Sequence, residues 1–164
     1  MRYNPLMCLL AEFSGILTLG DNMKDSKELL ASVLHTTQMG QTGIRSVRDN
    51  AIRTGLKQEL DQQLKEYDSI EKEALRLAAS RGWSLTDVNP AVRKMSDMMS
   101  RARLMGGDVD SKIAGMLIQG NTRGMILGIR NLRRSSGSDA QVTQLAQKLL
   151  DRENINIQKT QTYL

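Results

Sequence analysis

Residues 54–82, TGLKQELDQQLKEYDSIEKEALRLAASRG, decide the fold. Leu56, Leu60, Leu64, Tyr67, Ile70, Ala74 and Leu77 recur at three- and four-residue intervals, the spacing that draws one apolar stripe along a helix. The stripe ends at Arg81-Gly82, and Gly82 suits the left-handed position just past a helix C-terminus. Upstream, Leu29, Leu30, Val33, Thr37, Gly40, Ile44 and Val47 mark a second helix, with Asp25 or Ser26 as its N-cap and an end near Asn50. A short break near Thr54-Gly55 separates the two, which together read as an αα-hairpin.

The same plan returns downstream. Asp108 or Asp110 would cap a helix carrying Ile113, Met116, Leu117, Met125, Ile129 and Leu132. After Ser135-Ser136-Gly137-Ser138, Ser138 or Asp139 would cap another, with Val142, Leu145, Leu149, Ile155 and Ile157. Sliding the chain by 85 residues aligns Asp25-Ser26-Lys27 with Asp110-Ser111-Lys112 and Gly43-Ile44-Arg45 with Gly128-Ile129-Arg130. Thr37 then meets Thr122, Leu60 meets Leu145, Leu64 meets Leu149 and Ile70 meets Ile155. A constant offset held this far predicts two copies of one unit, hairpins 24–82 and 110–164. Residues 83–109 join them through a helical stretch from Asn89-Pro90 to about Met105. Strand signals are absent, so the expectation is an all-α four-helix bundle of two repeated αα-hairpins. The long helical crossover lets its second and third helices run in the same direction. Each hairpin's apolar stripe needs the other's.

The chain has 164 residues, 40% apolar, 25% charged and 3% aromatic, which suits one globular domain. The single Cys8 excludes an internal disulfide framework and a multi-cysteine zinc site, and fits a cytoplasmic setting. Residues 1–82 balance 11 Lys and Arg against 11 Asp and Glu, so the formal net charge of +5 lies wholly in residues 83–164. Residues 1–22 hold an apolar run, Leu6 to Leu19, that is broken by Glu12 and is shorter than the roughly 20 residues a bilayer span needs. No export cleavage pattern follows it. The reading is an extension ahead of a native start at Met23, with the bundle occupying 23–164 and no membrane association.

Gln63-Leu64-x-Glu66-Tyr67, followed by Arg81-Gly82-Trp83, resembles bacterial ferritin-like proteins, and Arg-Gly-Trp ahead of Asn89-Pro90 is similar to the spore coat F group. Ile113 to Gly120 and Leu145 to Leu150 resemble further ferritin-like proteins of spore-forming bacteria. The resemblance covers about residues 24–164 and implies a ferritin-like bundle. It raises the question of a di-iron centre, which takes a Glu from each of two helices and a Glu-x-x-His from each of the other two. The third helix has no carboxylate from Ile113 through Ser138; Glu66 is followed by Ser69 and Glu153 by Asn156 at the position a histidine would hold. The only histidine is His35. The expected centre is therefore metal-free, with Thr37, Thr122 and Tyr67 in its middle and no cofactor.

Three functions follow as expectations. The first is a structural or protein-interaction protein, spore-associated in the manner of the resemblance, forming a homo-oligomer or meeting a protein partner, with no catalytic residue. Gly120, Gly124 and Gly128, four residues apart, would line a close helix seam or dimer face. The second is a divergent metal or redox protein using His35, Glu66, Asp151 and Glu153. The third, nucleic-acid binding, would rest on the basic set Arg93, Lys94, Arg101, Arg103, Arg123, Arg130, Arg133 and Arg134; without aromatics to stack bases it is disfavoured. Met95, Met98, Met99 and Met105 on the crossover suit a core helix or a partner groove.

Overall fold

A computed structural model describes residues 5–90, 106–135 and 137–164, with side chains from Asn22 onward. Four helices account for most of it: α1 (Pro5–Val47), α2 (Thr54–Ser80), α3 (Val109–Arg134) and α4 (Ala140–Thr160). Short 3-10 turns follow α1 at Arg48–Asn50 and α4 at Gln161–Tyr163. No strand occurs among the described residues, and no described helix is long and apolar enough to cross a membrane.

The helices pack as a four-helix bundle. α1 pairs with α2 and α3 with α4; α1 also packs on α3, α2 on α4, and α1 reaches α4 across the diagonal. Hydrogen bonds at the two ends fix the directions. At one end the Asp110 carboxylate opening α3 accepts the Ile52 and Arg53 N–H groups ahead of α2, at 2.7 and 2.9 Å. At the other, Arg81 ending α2 donates to Asp139 ahead of α4, 2.7 Å away. α2 and α3 therefore run in the same direction. The core holds Leu29, Leu30, Val33, Ile44, Leu56, Leu60, Tyr67, Ile70, Leu77, Ile113 and Leu145, with Trp83 and Leu85 packed against it.

Local chemistry explains most boundaries. Gly82 has φ +65°, and the N–H groups of Gly82 and Trp83 close onto the carbonyls of Ala79 and Ala78, stopping α2 at the expected glycine. Asp108 caps α3 by accepting from Ser111, and Asp139 caps α4 by accepting from Gln141 and Val142. The crossover starts under a clamp: the Gln38 side-chain carbonyl accepts the Val88 N–H at 2.9 Å, while its amide nitrogen donates to Glu71 and Asp87.

Four expectations need correction. α1 does not begin at Asp25 or Ser26. It runs unbroken from Pro5, and Ser26 instead donates to the Asn22 carbonyl and accepts the Asp139 N–H. Gly55 lies inside the first turn of α2 rather than in the break, which falls at Ala51–Arg53. Ile129 is exposed, and Ile155 and Ile157 are only partly buried. The 85-residue offset also misaligns the cores, pairing buried Thr37 with exposed Thr122 and buried Ile44 with exposed Ile129.

Burial instead superposes along two other offsets. Ser26, Leu29, Leu30, Val33 and Thr37 match Asp110, Ile113, Ala114, Leu117 and Asn121, 84 residues on. Leu56, Leu60, Gln63, Tyr67, Ile70 and Ala74 match Val142, Ala146, Leu149, Glu153, Asn156 and Thr160, 86 residues on. One residue of slip turns a helix by about 100°, enough to exchange an inward position for an outward one. The crossover methionines Met95, Met98, Met99 and Met105, with Arg93, Lys94, Arg101 and Arg103, lie outside the described residues.

Candidate functional site

Halfway along the bundle, each helix turns a polar residue inward: Thr37 from α1, Tyr67 from α2, Asn121 from α3, Glu153 and Asn156 from α4, all buried. The Tyr67 hydroxyl lies 2.9 Å from Glu153 Oε1 and 3.1 Å from Asn121 Oδ1. Burial holds the Glu153 carboxyl protonated, raising its pKa to about 8 against the opposing pull of the Tyr67 hydrogen bond. The Tyr67 hydroxyl is the donor toward both oxygens, sharing its one proton between Glu153 Oε1 and Asn121 Oδ1. Burial, with the Glu153 carboxyl beside it, likewise pushes the Tyr67 phenol well above its usual range.

Several polar atoms here have no protein partner: Thr37 Oγ1, Asn121 Nδ2, Glu153 Oε2 and both ends of the Asn156 amide. Native interiors leave few such atoms.

A cleft of about 330 Å³ between α1 and α3 reaches this centre. Asn121 and Glu153 line it together with Met39, Ile44, Val47, Met116, Leu117 and Leu127, and with the glycines Gly40, Gly43, Gly120 and Gly124. The glycines make the space. A Cβ at Gly43 or Gly120 would meet nothing within 4 Å, whereas one at Gly124 would stand 3.1 Å from Glu153 Oε1 and one at Gly40 only 2.7 Å from the Tyr67 ring. His35 and Arg123, both exposed, stand at the rim.

The predicted site residues do not converge. His35 is exposed on α1; Asp151 is exposed on α4 and accepts from Gln147; Glu66 pairs with Arg152 at 3.3 Å; only Glu153 enters the centre. Among the described residues no three His, Cys, Asp or Glu side chains cluster as metal ligands. Inward residues at di-iron spacing are Thr37, Asn121, the pair Tyr67 and Ile70, and the pair Glu153 and Asn156. With one carboxyl and no imidazole, this donor set does not fit a di-iron centre.

Thr122 is not part of the centre: it is exposed and donates to the Ile118 carbonyl. Gly124 and Gly128 do line a close seam, but within the chain, against Glu153 and Thr36 and against Leu150 respectively. Gly120 borders the cleft. Arg123, Arg130, Arg133 and Arg134 are all exposed on the second half of α3.

Sequence reasoning missed Asn121, Asn156 and the cleft. The i, i+3 pair Glu153 and Asn156 on the apolar face of α4 was the available signal. Comparison with family models, curated proteins and solved structures finds no match for this chain.

Proposed function

We propose that this chain is a ferritin-like bundle that serves as a structural or protein-interaction protein and holds no di-iron centre. The ferritin-like reading rests on the Gln63 to Tyr67 and Arg81-Gly82-Trp83 motifs and on the inward polar positions at di-iron spacing. The spore-coat resemblance favours a spore-associated, cytoplasmic setting.

The interaction role is carried by α3. Beyond Asn121 it buries none of its described residues, yet it holds Ile126, Leu127 and Ile129 exposed at 46%, 41% and 38%. Apolar side chains grouped on a solvent face are the mark of a contact surface. Arg123, Arg130 and Arg134 fall in one row along the same half-helix and favour acidic side chains opposite.

Light scattering of the purified protein, read beside elemental analysis, tests this reading. A dimer or larger assembly is expected, reduced to monomer by Ile126→Glu with Ile129→Glu, and carrying no stoichiometric iron or manganese. A monomeric wild type, or one metal ion or more per chain, overturns it.

A further inference from the structure

We propose that residues 5–21 of a second copy cover the exposed end of α3, each chain of a two-fold dimer lending the other this stretch of α1. The proposal rests on α3 being a contact surface and names what meets it.

The α3 face sets the chemistry of its partner. Ile126, Leu127 and Ile129 are exposed on the same half-helix as the exposed Arg123, Arg130 and Arg134, and α3 has no Asp or Glu after Asp110. Packing α3 against α3 of a second copy would set arginine against arginine with no acid between them. The fitting partner is apolar and acidic. Residues 5–21, PLMCLLAEFSGILTLGD, have that composition: Leu6, Leu9, Leu10, Phe13, Ile16 and Leu17 recur at helical spacing, with Glu12 and Asp21 as acids and no Lys or Arg. A helix lying on an anionic membrane would want cations on its polar side, and this stretch has none.

The backbone carries the stretch past its own bundle. α1 is one helix from Pro5 to Val47. Its contacts with the α3–α4 turn mark the bundle's end: Ser26 accepts the Asp139 N–H, and the Asn22 side chain stands close to Gly137. At 1.5 Å per residue, residues 5–21 extend the same helix by about 25 Å beyond that level. The apolar positions also leave the core side of the helix. Eighteen residues make five full turns, so Leu6, Leu9, Leu10 and Leu17 fall in line with Lys24, Lys27, Glu28 and His35, all exposed within the bundle. The buried line of Leu29, Leu30 and Val33 corresponds instead to Ala11, Glu12 and Gly15.

An unbroken helix cannot double back, so the α3 that this stretch meets belongs to another molecule. The exposed half of α3 lies at the same end of the bundle, where Asn131 donates to Ser32 of α1. A two-fold axis there sets each stretch along the other copy's α3 and closes the assembly at two chains. Arg123 to Arg134 span about 18 Å of helix, which a 25 Å stretch covers.

Sedimentation velocity on full-length variants tests the exchange. Leu10→Glu with Leu17→Glu spoils the stretch, and Ile126→Glu with Ile129→Glu spoils the α3 face. Each pair should weaken the wild-type dimer by about tenfold or more, with the thermal melt of the bundle unchanged. Mixing the two monomeric variants should restore a dimer, because one intact stretch then meets one intact α3; a contact of α3 with α3, or of stretch with stretch, gains nothing from mixing. A mixture that stays monomeric, or a dimer untouched by Leu10→Glu with Leu17→Glu, overturns the proposal and leaves α3 a contact surface for another occupant. A monomeric wild type overturns both the proposal and the reading of α3 beneath it.

Discussion

Glu153→Gln should abolish a pH dependence of stability that the wild-type chain carries. The Glu153 side chain is 2% exposed, and burial lifts its pKa from 4.5 to about 8 in the folded protein. Tyr67 from α2 bonds the carboxyl, and Thr36 from α1 and Gly124 from α3 lie close to it, while the basic side chains of the cleft, His35 and Arg123, are exposed at its rim. Between pH 4.5 and 8 the folded state keeps a proton that the unfolded chain has released. The folded state binds more protons there, so stability falls as pH rises, by up to about 1.4 kcal/mol per unit. From pH 6 to pH 8 the loss is about 2 kcal/mol, a large share of the stability of a domain this size.

Glutamine keeps a side-chain oxygen to accept from Tyr67 and has nothing to ionise. Urea denaturation of both proteins from pH 5 to pH 9 reads the effect. The variant should lie within about 1 kcal/mol of wild type at pH 5 and rise above it progressively to pH 8. Every other titrating group cancels in the difference. Parallel curves across the whole range would refute the assignment of a protonated Glu153.

Other substitutions probe the same framework by thermal or urea denaturation. Tyr67→Phe strips Glu153 and Asn121 of their shared partner and should cost about 1–3 kcal/mol. Asp110→Ala removes the acceptor for two N–H groups ahead of α2 and should cost about 2 kcal/mol; Asp110→Asn should recover part of it. The helix glycines should divide by sign. Gly120→Ala meets nothing and should stabilise by about 0.5–1 kcal/mol, whereas Gly40→Ala drives a methyl into the Tyr67 ring and should destabilise by about 1–3 kcal/mol.

The bundle was legible because its evidence is periodic. Leu56, Leu60, Tyr67, Ile70 and Leu77 are one stripe in the sequence and one buried face in the structure. Gly82 likewise ends α2 as its chemistry dictates. The repeat register was not legible, because identities such as Thr37 with Thr122 compare letters, whereas a helix compares angles. The start of α1 was hidden for another reason. Asp25-Ser26 has the composition of an N-cap, but the Ser26 hydroxyl bonds back to the Asn22 carbonyl, a pattern open to serine within a helix. The polar centre stayed hidden because Asn121 and Asn156 lie far apart in the chain and look like surface amides. Only the packing of α3 and α4 against Tyr67 brings them together.

The hairpins lend each other their helix starts. Asp110, from the second, holds the N–H groups ahead of α2 in the first; Ser26, from the first, holds the Asp139 N–H ahead of α4 in the second. Each half therefore lacks, on its own, both a cover for its apolar stripe and an acceptor for the N–H groups just ahead of its later helix. The halves gain these together or not at all, which makes the whole bundle a single cooperative unit of folding. A cut in the crossover would leave two fragments that become ordered only in each other's company.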